Sequence, residues 1–114
     1  MTKSEKYVEY KIQHALENEG FLVINPARSK PFDLVAIKHG VVYLIEVKGR
    51  KTRYSREQYE RQVELADKAE CNMVVIRKME ERRKILFSMP VRHGLSFPIL
   101  DALRKYFDVV EVFM

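Results

Sequence analysis

Residues 31–48 read PFDLVAIKHGVVYLIEVK and carry the strongest secondary-structure signal of the chain. Two apolar runs rich in β-branched residues, 32–38 and 41–48, predict two β-strands. The residues between them, His39 and Gly40, suit a two-residue turn in which both central positions have positive φ. The stretch therefore predicts an antiparallel hairpin.

Counting back from the turn gives the register of the hairpin and, with it, a cluster of charged side chains. Lys38 pairs with Val41, so Asp33 falls directly opposite Glu46, and period-two alternation puts Lys48 on the face of Glu46. Two carboxylates whose Cβ atoms lie about 5 Å apart repel each other unless a positive group sits between them. We expect that group to be Mg²⁺, with Mn²⁺ able to substitute.

Mg²⁺ keeps several waters and needs few protein ligands, so Asp33, Glu46 and a backbone carbonyl, that of Val47, would suffice. Such a site is suited to phosphodiester hydrolysis, because the cation polarises the phosphoryl group and activates water. Lys48 would either orient or deprotonate that water, or stabilise charge developing on the phosphorus centre. The competing interpretation is an ordinary Glu46–Lys48 ion pair on a solvated face. Apart from Glu46, the strand is apolar from Val41 to Val47. Charged side chains at the end of such a strand are harder to explain as an ordinary ion pair on a solvated face.

Helical and strand patterns alternate through the rest of the chain. Gly20 suits the position after a helix, and the capping boxes Thr2-x-x-Glu5 and Ser55-x-x-Gln58 suit helix starts. The predicted order is α-β-β-β-α-β-β-α-β within a single domain spanning residues 1–114. Its elements are a helix over 4–18, strands over 21–25, 32–38 and 41–48, a helix from the Ser55 cap to near Cys71, strands over 72–77 and 85–89, a helix from Ser96 or Phe97, and a strand over 108–113. The apolar stripe of the second helix consists of Tyr59, Val63, Ala66 and Ala69.

The composition of the chain excludes several kinds of protein and favours one kind of partner. The chain has 114 residues, a net charge of +5 and a single cysteine, Cys71. One cysteine excludes a disulfide framework, and the absence of an export segment or a long apolar run predicts a cytoplasmic protein without a membrane partner. Isolated glycines argue against a nucleotide cofactor. The positive excess favours nucleic acid as the partner.

Basic residues flank the hairpin on both sides and predict contacts with DNA phosphates. A third basic group, within residues 77–84, is interrupted by Glu80 and Glu81, so a solvated turn is at least as well supported there. The predicted DNA-binding residues are Arg28 and Lys30 before the hairpin, and Arg50, Lys51, Arg53 and Arg56 after it.

Glu9 is the third carboxylate to consider. It lies on the border of the buried stripe of the first helix, where it could reach the metal patch. It could equally be a solvent-side glutamate in a helix pair, and the pattern alone favours that second interpretation.

A family resemblance bears on these alternatives. Over roughly residues 5–77 the sequence resembles the PD-(D/E)xK nuclease superfamily, and within it the archaeal Holliday junction resolvases. The motifs that carry the resemblance occur in the family's order, although Phe32 separates the proline from the aspartate. They are Glu9, Gly20-Phe21, Arg28-Ser29-Lys30, Pro31-Phe32-Asp33 and Glu46-x-Lys48.

The resemblance implies an α/β restriction-endonuclease-like fold, with a mixed central β-sheet flanked by helices. It implies a Mg²⁺-dependent homodimer that cuts two opposing strands of a four-way DNA junction. Asp33 and Glu46 would be metal ligands, Lys48 catalytic and Glu9 an additional active-site acid. Ser29 would correspond to a serine that resolvases carry near the scissile phosphate.

Two other functions stay open at this point. One is another nuclease of the superfamily that acts on flaps, ends or duplex DNA. The other is a catalytically silent nucleic-acid-binding module, against which the intact Asp33, Glu46 and Lys48 argue. The segment from Val91 onward either completes the sheet or forms a dimer surface.

Overall fold

The computed structural model describes residues 3–90 and 97–113. Its helices and strands follow the predicted order, with one short 3-10 turn, Ala27–Ser29, added between the first two strands. The elements are α1 (Lys3–Asn18), β1 (Leu22–Ile24), β2 (Leu34–Lys38), β3 (Val41–Lys48), α2 (Arg56–Ala69), β4 (Asn72–Lys78), β5 (Lys84–Met89), α3 (Phe97–Arg104) and β6 (Asp108–Phe113).

The predicted hairpin is present, and its register is confirmed from the turn as far as Leu34. His39 and Gly40 have φ of 52° and 78°, as a two-residue hairpin turn requires. The paired residues run from Lys38 with Val41 to Leu34 with Ile45.

The register changes at Asp33. Its N–H donates to the carbonyl of Ile45 (3.0 Å), the residue that Leu34 already faces. Asp33 and Leu34 thus both oppose Ile45, as in a β-bulge, and Asp33 is offset by one residue from the predicted position opposite Glu46. A bulge redirects a side chain at the end of a strand, which is what happens here.

The sheet topology puts the helices on both faces. Within the described residues, six strands lie in the order β1-β2-β3-β4-β5-β6, with β3–β4 and β5–β6 parallel and the other neighbours antiparallel. Each parallel pair is joined by a helix, and such crossovers are right-handed. Because β3 and β5 run in opposite directions, right-handed crossovers put α2 and α3 on opposite faces.

The two faces carry two hydrophobic cores. On one face α1 and α3 pack with the sheet through buried residues such as Ile12, Leu16 and Leu103. On the other face α2 packs through Val63 and Ala66. The α2 stripe was predicted one turn too long: Ala69 is exposed, because the helix ends there and the chain turns away through Glu70 in a left-handed conformation.

The ends of the elements follow the sequence signals that lie in the described part of the chain. Gly20 (φ 89°) terminates α1, and the Ser55 hydroxyl caps α2 by accepting a hydrogen bond from the Gln58 N–H (3.0 Å). Thr2 and Ser96, the predicted caps of α1 and α3, lie outside the described residues. The C-terminal strand completes the sheet beside β5. In the described ranges, no helix combines the length and apolar character needed to cross a membrane.

Candidate active site

A cleft of about 980 Å³ opens at the end of the sheet where β1 and β3 finish and β2 begins. The N-terminal halves of α1 and α2 and the β1–β2 loop form its walls. Charged side chains of both signs line the cleft. They are the acidic residues Glu5, Glu9, Asp33 and Glu46, and the basic residues Lys6, Arg28, Lys30, Lys48 and Arg61.

The hairpin brings Asp33 to the floor of this cleft. The side chain is buried, and its Oδ2 accepts a hydrogen bond from the N–H of Val47 (2.7 Å). The carboxylate therefore takes the place of a backbone partner for β3 just where β2 ends. This bond also shows that the backbone N–H of Val47 faces the Asp33 side.

Glu46 is buried beside it, with 5% of its surface exposed. Its Oε1 accepts a hydrogen bond from Gln62 Nε2 (2.9 Å), and its Oε2 lies 3.0 Å from Lys48 Nζ. Burial raises the pKa of Glu46 and the nearby charge of Asp33 raises it further, while Lys48 and Gln62 oppose the shift. Asp33 and Glu46 both line this cleft, so the two carboxylates remain in one site despite the bulge.

Lys48 is also buried, with 7% exposed, so the Glu46–Lys48 pair is not the solvated ion pair of the competing interpretation. The ammonium group lies 4.9 Å from the centre of the Tyr54 ring. An aromatic face attracts a cation, most strongly where water is excluded. Lys48 is therefore held between a carboxylate and an aromatic ring at the edge of the cleft.

Glu9 reaches this group from α1. Its Oε2 is buried without a hydrogen-bond partner, a state that no other described side-chain nitrogen or oxygen shares. Burial, followed by the charges of Asp33 and Glu46, raises the pKa of Glu9 from 4.5 to about 7. The interpretation of Glu9 as a solvent-side member of a helix pair is therefore wrong.

Glu5 is an acidic residue of the cleft that the sequence reasoning missed. It is buried, and its Oε1 accepts a hydrogen bond from Thr52 Oγ1 (2.5 Å). Gly49 leaves room for this contact, since a Cβ there would lie 3.0 Å from Glu5 Cγ. The available signal was the spacing of four residues between Glu5 and Glu9, which puts both on one row of α1.

The predicted DNA-binding residues divide into two groups. Arg28 and Lys30 line the cleft, together with Lys6 and Arg61, which were not predicted. The side chain of Ser29 lies outside the described part of the structure. The basic residues that follow the hairpin are exposed outside the cleft lining, and two of them form surface ion pairs. These residues are Arg50, which pairs with Glu80, Lys51, Arg53, and Arg56, which pairs with Glu60.

The third basic group serves mainly to hold loops. Arg77 Nη1 donates to the carbonyls of Gly49 (3.0 Å) and Thr52 (2.7 Å), which fixes the loop after β3. Lys78 and Arg83 likewise donate to backbone carbonyls of neighbouring turns. These bonds favour the structural interpretation of this segment over a DNA contact.

The donor set fits a hard divalent cation. Asp33 and Glu46 supply carboxylate oxygens, and Glu9 has a buried oxygen that lacks a partner. The paired register of β2 and β3 ends at Leu34 and Ile45, and Pro31, which precedes it, has no N–H to donate to the carbonyl of Val47. Among the described residues no three acidic, histidine or cysteine side chains form a metal cage. Mg²⁺ does not need one, because it takes one or two carboxylates and completes its shell with water.

In such a site, a bound divalent cation supplies polarisation of the phosphoryl group and activation of water. The chain's own groups are arranged around that chemistry. Lys48 offers a fixed positive charge, and Glu9, with a pKa of about 7, can hold or release a proton near neutral pH. Together with the basic walls of the cleft, these groups suit hydrolysis of a polyanionic phosphodiester.

Comparison with known proteins agrees with this geometry. The family described as archaeal Holliday junction resolvase (hjc) matches residues 2–98. The chain belongs to that family. No curated protein matches the sequence. A matching structure is Archaeoglobus fulgidus Hjc, a Holliday junction resolvase from an archaeal hyperthermophile, solved at 1.6 Å resolution. It is 31% identical over 75% of each chain, with a TM-score of 0.60.

The family assignment confirms several predictions made from the sequence. The PD-(D/E)xK superfamily, the mixed sheet flanked by helices, and an endonuclease of the Holliday junction resolvase type are all supported. The family and the structural match support a junction-resolving nuclease, and nucleases of this type generally use divalent metal ions. The roles of individual residues and the identity of the metal stay predictions.

Proposed function

We propose that this chain cuts two opposing strands of a four-way DNA junction by Mg²⁺-dependent phosphodiester hydrolysis, with Mn²⁺ able to substitute. The observation that carries the proposal is the buried, partnerless oxygen of Glu9 beside the buried carboxylates of Asp33 and Glu46. Like charges gathered out of water are unfavourable unless a cation joins them. An arrangement of this kind at the bottom of a basic cleft is best explained by metal-assisted chemistry on a phosphate.

Each residue of the site has one role in this proposal. Asp33, Glu46 and the Val47 carbonyl are the metal ligands. Lys48 stabilises negative charge that develops on the phosphoryl oxygens, since its ammonium group is fixed and largely screened from water. Glu9 orients the attacking water and accepts its proton, which its raised pKa permits at neutral pH.

DNA is proposed to enter along the basic walls of the cleft. Arg28 and Lys30 on one side, and Lys6 and Arg61 on the helices, would contact phosphates close to the cut. Ser29 is proposed to lie near the scissile phosphate. The outer basic residues would contact the arms of the junction further away, and such phosphate contacts position DNA without reading its sequence. The outer group consists of Arg50, Lys51, Arg53 and Arg56.

The proposed active form is a homodimer, because two opposing strands require two active sites. The sheet offers a surface for it: Leu22 and Ile24 on the edge strand β1 are 61% and 45% exposed. They continue into the half-buried Val35 and Ile37 on β2, with which they pair. A contiguous, uncharged apolar face of this kind suits a second copy of the chain better than it suits water or a phosphate backbone.

Two further parts of the proposal concern the enzyme's setting. We propose that it needs no nucleotide cofactor, since the energy of the bond it hydrolyses drives the reaction. We also propose that it acts in the cytoplasm, where it has access to chromosomal DNA. Cleavage in a buffer that contains only protein, junction and Mg²⁺ would support the first of these.

The decisive experiment is strand cleavage of an immobile four-way junction beside a linear duplex of the same sequence, in Mg²⁺ and in EDTA. We expect paired nicks in the junction alone, lost in EDTA. Equal cutting of duplex or flap substrates would indicate a different nuclease of the superfamily, and no cutting at any metal concentration would indicate a silent binding module.

The residue assignment is tested with Asp33→Asn and Glu46→Gln. Both variants should lose cleavage and still bind the junction, because the basic walls of the cleft are unchanged. Retained cleavage in both would refute the assignment of the metal ligands.

A further inference from the structure

Gln62 is a buried amide that lies between the proposed active site and the core under α2. Only 4% of its surface is exposed, which is unusual for glutamine. Its Nε2 donates two hydrogen bonds, to Glu46 Oε1 (2.9 Å) and to the backbone carbonyl of Pro31 (3.1 Å). Its Oε1 accepts a hydrogen bond from the Tyr54 hydroxyl.

These contacts allow the amide only one orientation. The carbonyl of Pro31 can accept but not donate, so the nitrogen of the amide must face it. The Tyr54 hydroxyl supplies the donor that the amide oxygen then needs. If the amide rotated, its oxygen would face the Glu46 carboxylate and the Pro31 carbonyl, with no donor between them.

The same amide links the two segments that carry the proposed metal ligands. Pro31 lies two residues before Asp33, and Glu46 is on β3, so one side chain fixes the spacing between these segments. Tyr54 also affects the second oxygen of Glu46 indirectly. Its ring faces the ammonium group of Lys48, and that ammonium group binds Glu46 Oε2. Oε1 of Glu46 is therefore held from outside the hairpin by Gln62, and Oε2 is held by Lys48 on the same strand, whose ammonium group faces the Tyr54 ring.

We propose that Gln62, locked in orientation by Tyr54, is a positioning residue that holds Glu46 in its metal-binding orientation. This inference rests on the proposed function. It assigns no chemical step to Gln62. Residues that orient metal ligands typically contribute about 10-fold to 100-fold to metal affinity or activity.

The test uses variants of the full-length protein. Gln62→Met removes the amide and keeps the side-chain volume, and Tyr54→Phe removes only the hydroxyl and keeps the ring over Lys48. Tyr59→Phe is the matched control, because Tyr59 contributes its ring to the edge contact with Tyr54. Thermal unfolding of each variant establishes that it is folded at the assay temperature.

Two readouts separate positioning from a purely structural role. The first is Mn²⁺ affinity measured by calorimetry without DNA, and the second is the single-turnover rate of junction cleavage, set against the junction Kd measured in EDTA. We expect Gln62→Met to lower both metal affinity and rate by about 10-fold or more, with the Kd unchanged. Tyr54→Phe should act in the same direction with a smaller effect, and Tyr59→Phe should leave both unchanged.

The outcomes distinguish this inference from the proposed function. Wild-type metal affinity and rate in both variants would overturn the inference and leave the nuclease intact. Weakened Mn²⁺ binding in the variants, with no cleavage by the wild type, would support the inference and refute the nuclease. A wild type that neither cleaves nor binds Mn²⁺ would overturn both. If Gln62→Met does not fold, the metal affinity and cleavage rate of Tyr54→Phe decide whether the inference holds.

Discussion

Replacing Glu9 with glutamine should make the metal-free protein more stable while it removes activity. Glu9 carries a buried oxygen without a partner, next to two other carboxylates. Its ionised form is therefore disfavoured in the folded protein, whereas a glutamine of the same shape stays neutral at every pH. The gain in stability should depend on pH, because wild-type Glu9 is neutral only in acid.

The sign and size of this gain in stability follow from the pKa of Glu9. Folding raises the pKa of Glu9 from 4.5 to about 7, so the folded protein binds this proton more tightly than the unfolded chain does. The associated stability is fully present below pH 4.5 and is lost as the pH rises to about 7. At about 1.36 kcal/mol per pKa unit, the loss is at most about 3.4 kcal/mol. Because the side chain is only half-buried, solvent screening reduces the expected value to about 1–2 kcal/mol.

The assay is urea unfolding of the wild type and Glu9→Gln in EDTA at several pH values between 4 and 8. The two proteins should have similar free energies of unfolding at the acid end, and the variant should be about 1–2 kcal/mol more stable above pH 7. Glu17→Gln, which replaces an exposed glutamate on the same helix, should show no such divergence.

Repeating the urea unfolding in Mg²⁺ gives a second test of the same prediction. A cation that binds the folded wild type stabilises it, so the advantage of Glu9→Gln should shrink in Mg²⁺. A variant that is no more stable than the wild type at pH 8, or whose advantage does not change with pH, would refute the account of Glu9 as an uncompensated buried acid.

Three further variants test other parts of the structure. Ser55→Ala removes the hydroxyl that caps α2 and should cost about 1 kcal/mol of stability in urea unfolding. Arg61→Ala should weaken junction binding and lower the slope of log Kd against log salt by about one, whereas Arg82→Ala, on an exposed turn, should change neither. Leu22→Lys should yield a monomer in analytical ultracentrifugation that no longer makes paired nicks, and Val112→Lys, on the opposite edge strand β6, should leave the dimer intact.

The hairpin could be predicted because its information is local. A turn of two residues fixes the register, and alternation along the strands then assigns each side chain to a face. The predicted register is confirmed from the turn to Leu34 and is wrong at Asp33, where a bulge shifts the pairing by one residue. The bulge is accompanied by a bond from the Val47 N–H to the Asp33 carboxylate, and the strand pattern contains no sign of either.

The helical periodicity alone could not predict what the helices contribute to the site, because this depends on packing between distant segments, and only the family resemblance pointed to Glu9. The helical pattern put Glu9 on the border of a buried stripe, but it did not reveal that the border faces two carboxylates. Gln62 lies three residues after Tyr59 and four before Ala66, beside the apolar stripe of α2, but the helical pattern did not reveal its contacts with Pro31 and Glu46. Conversely, Arg50 is close to the site in sequence and extends away from it toward Glu80.

The end of β2 explains why the chemistry is sited at this place. Further along the hairpin, every backbone group of β3 that faces β2 has a partner in the ladder. At Val47 the ladder stops: Asp33 satisfies the N–H through its side chain, and Pro31 cannot donate to the carbonyl. The carboxylates of Asp33, Glu46 and Glu9 therefore line one cleft at this end of the sheet. Gln62 and Lys48 compensate Glu46, but none of these contacts reaches the buried oxygen of Glu9. The remaining negative charge is what a divalent cation and a bound phosphodiester together would neutralise.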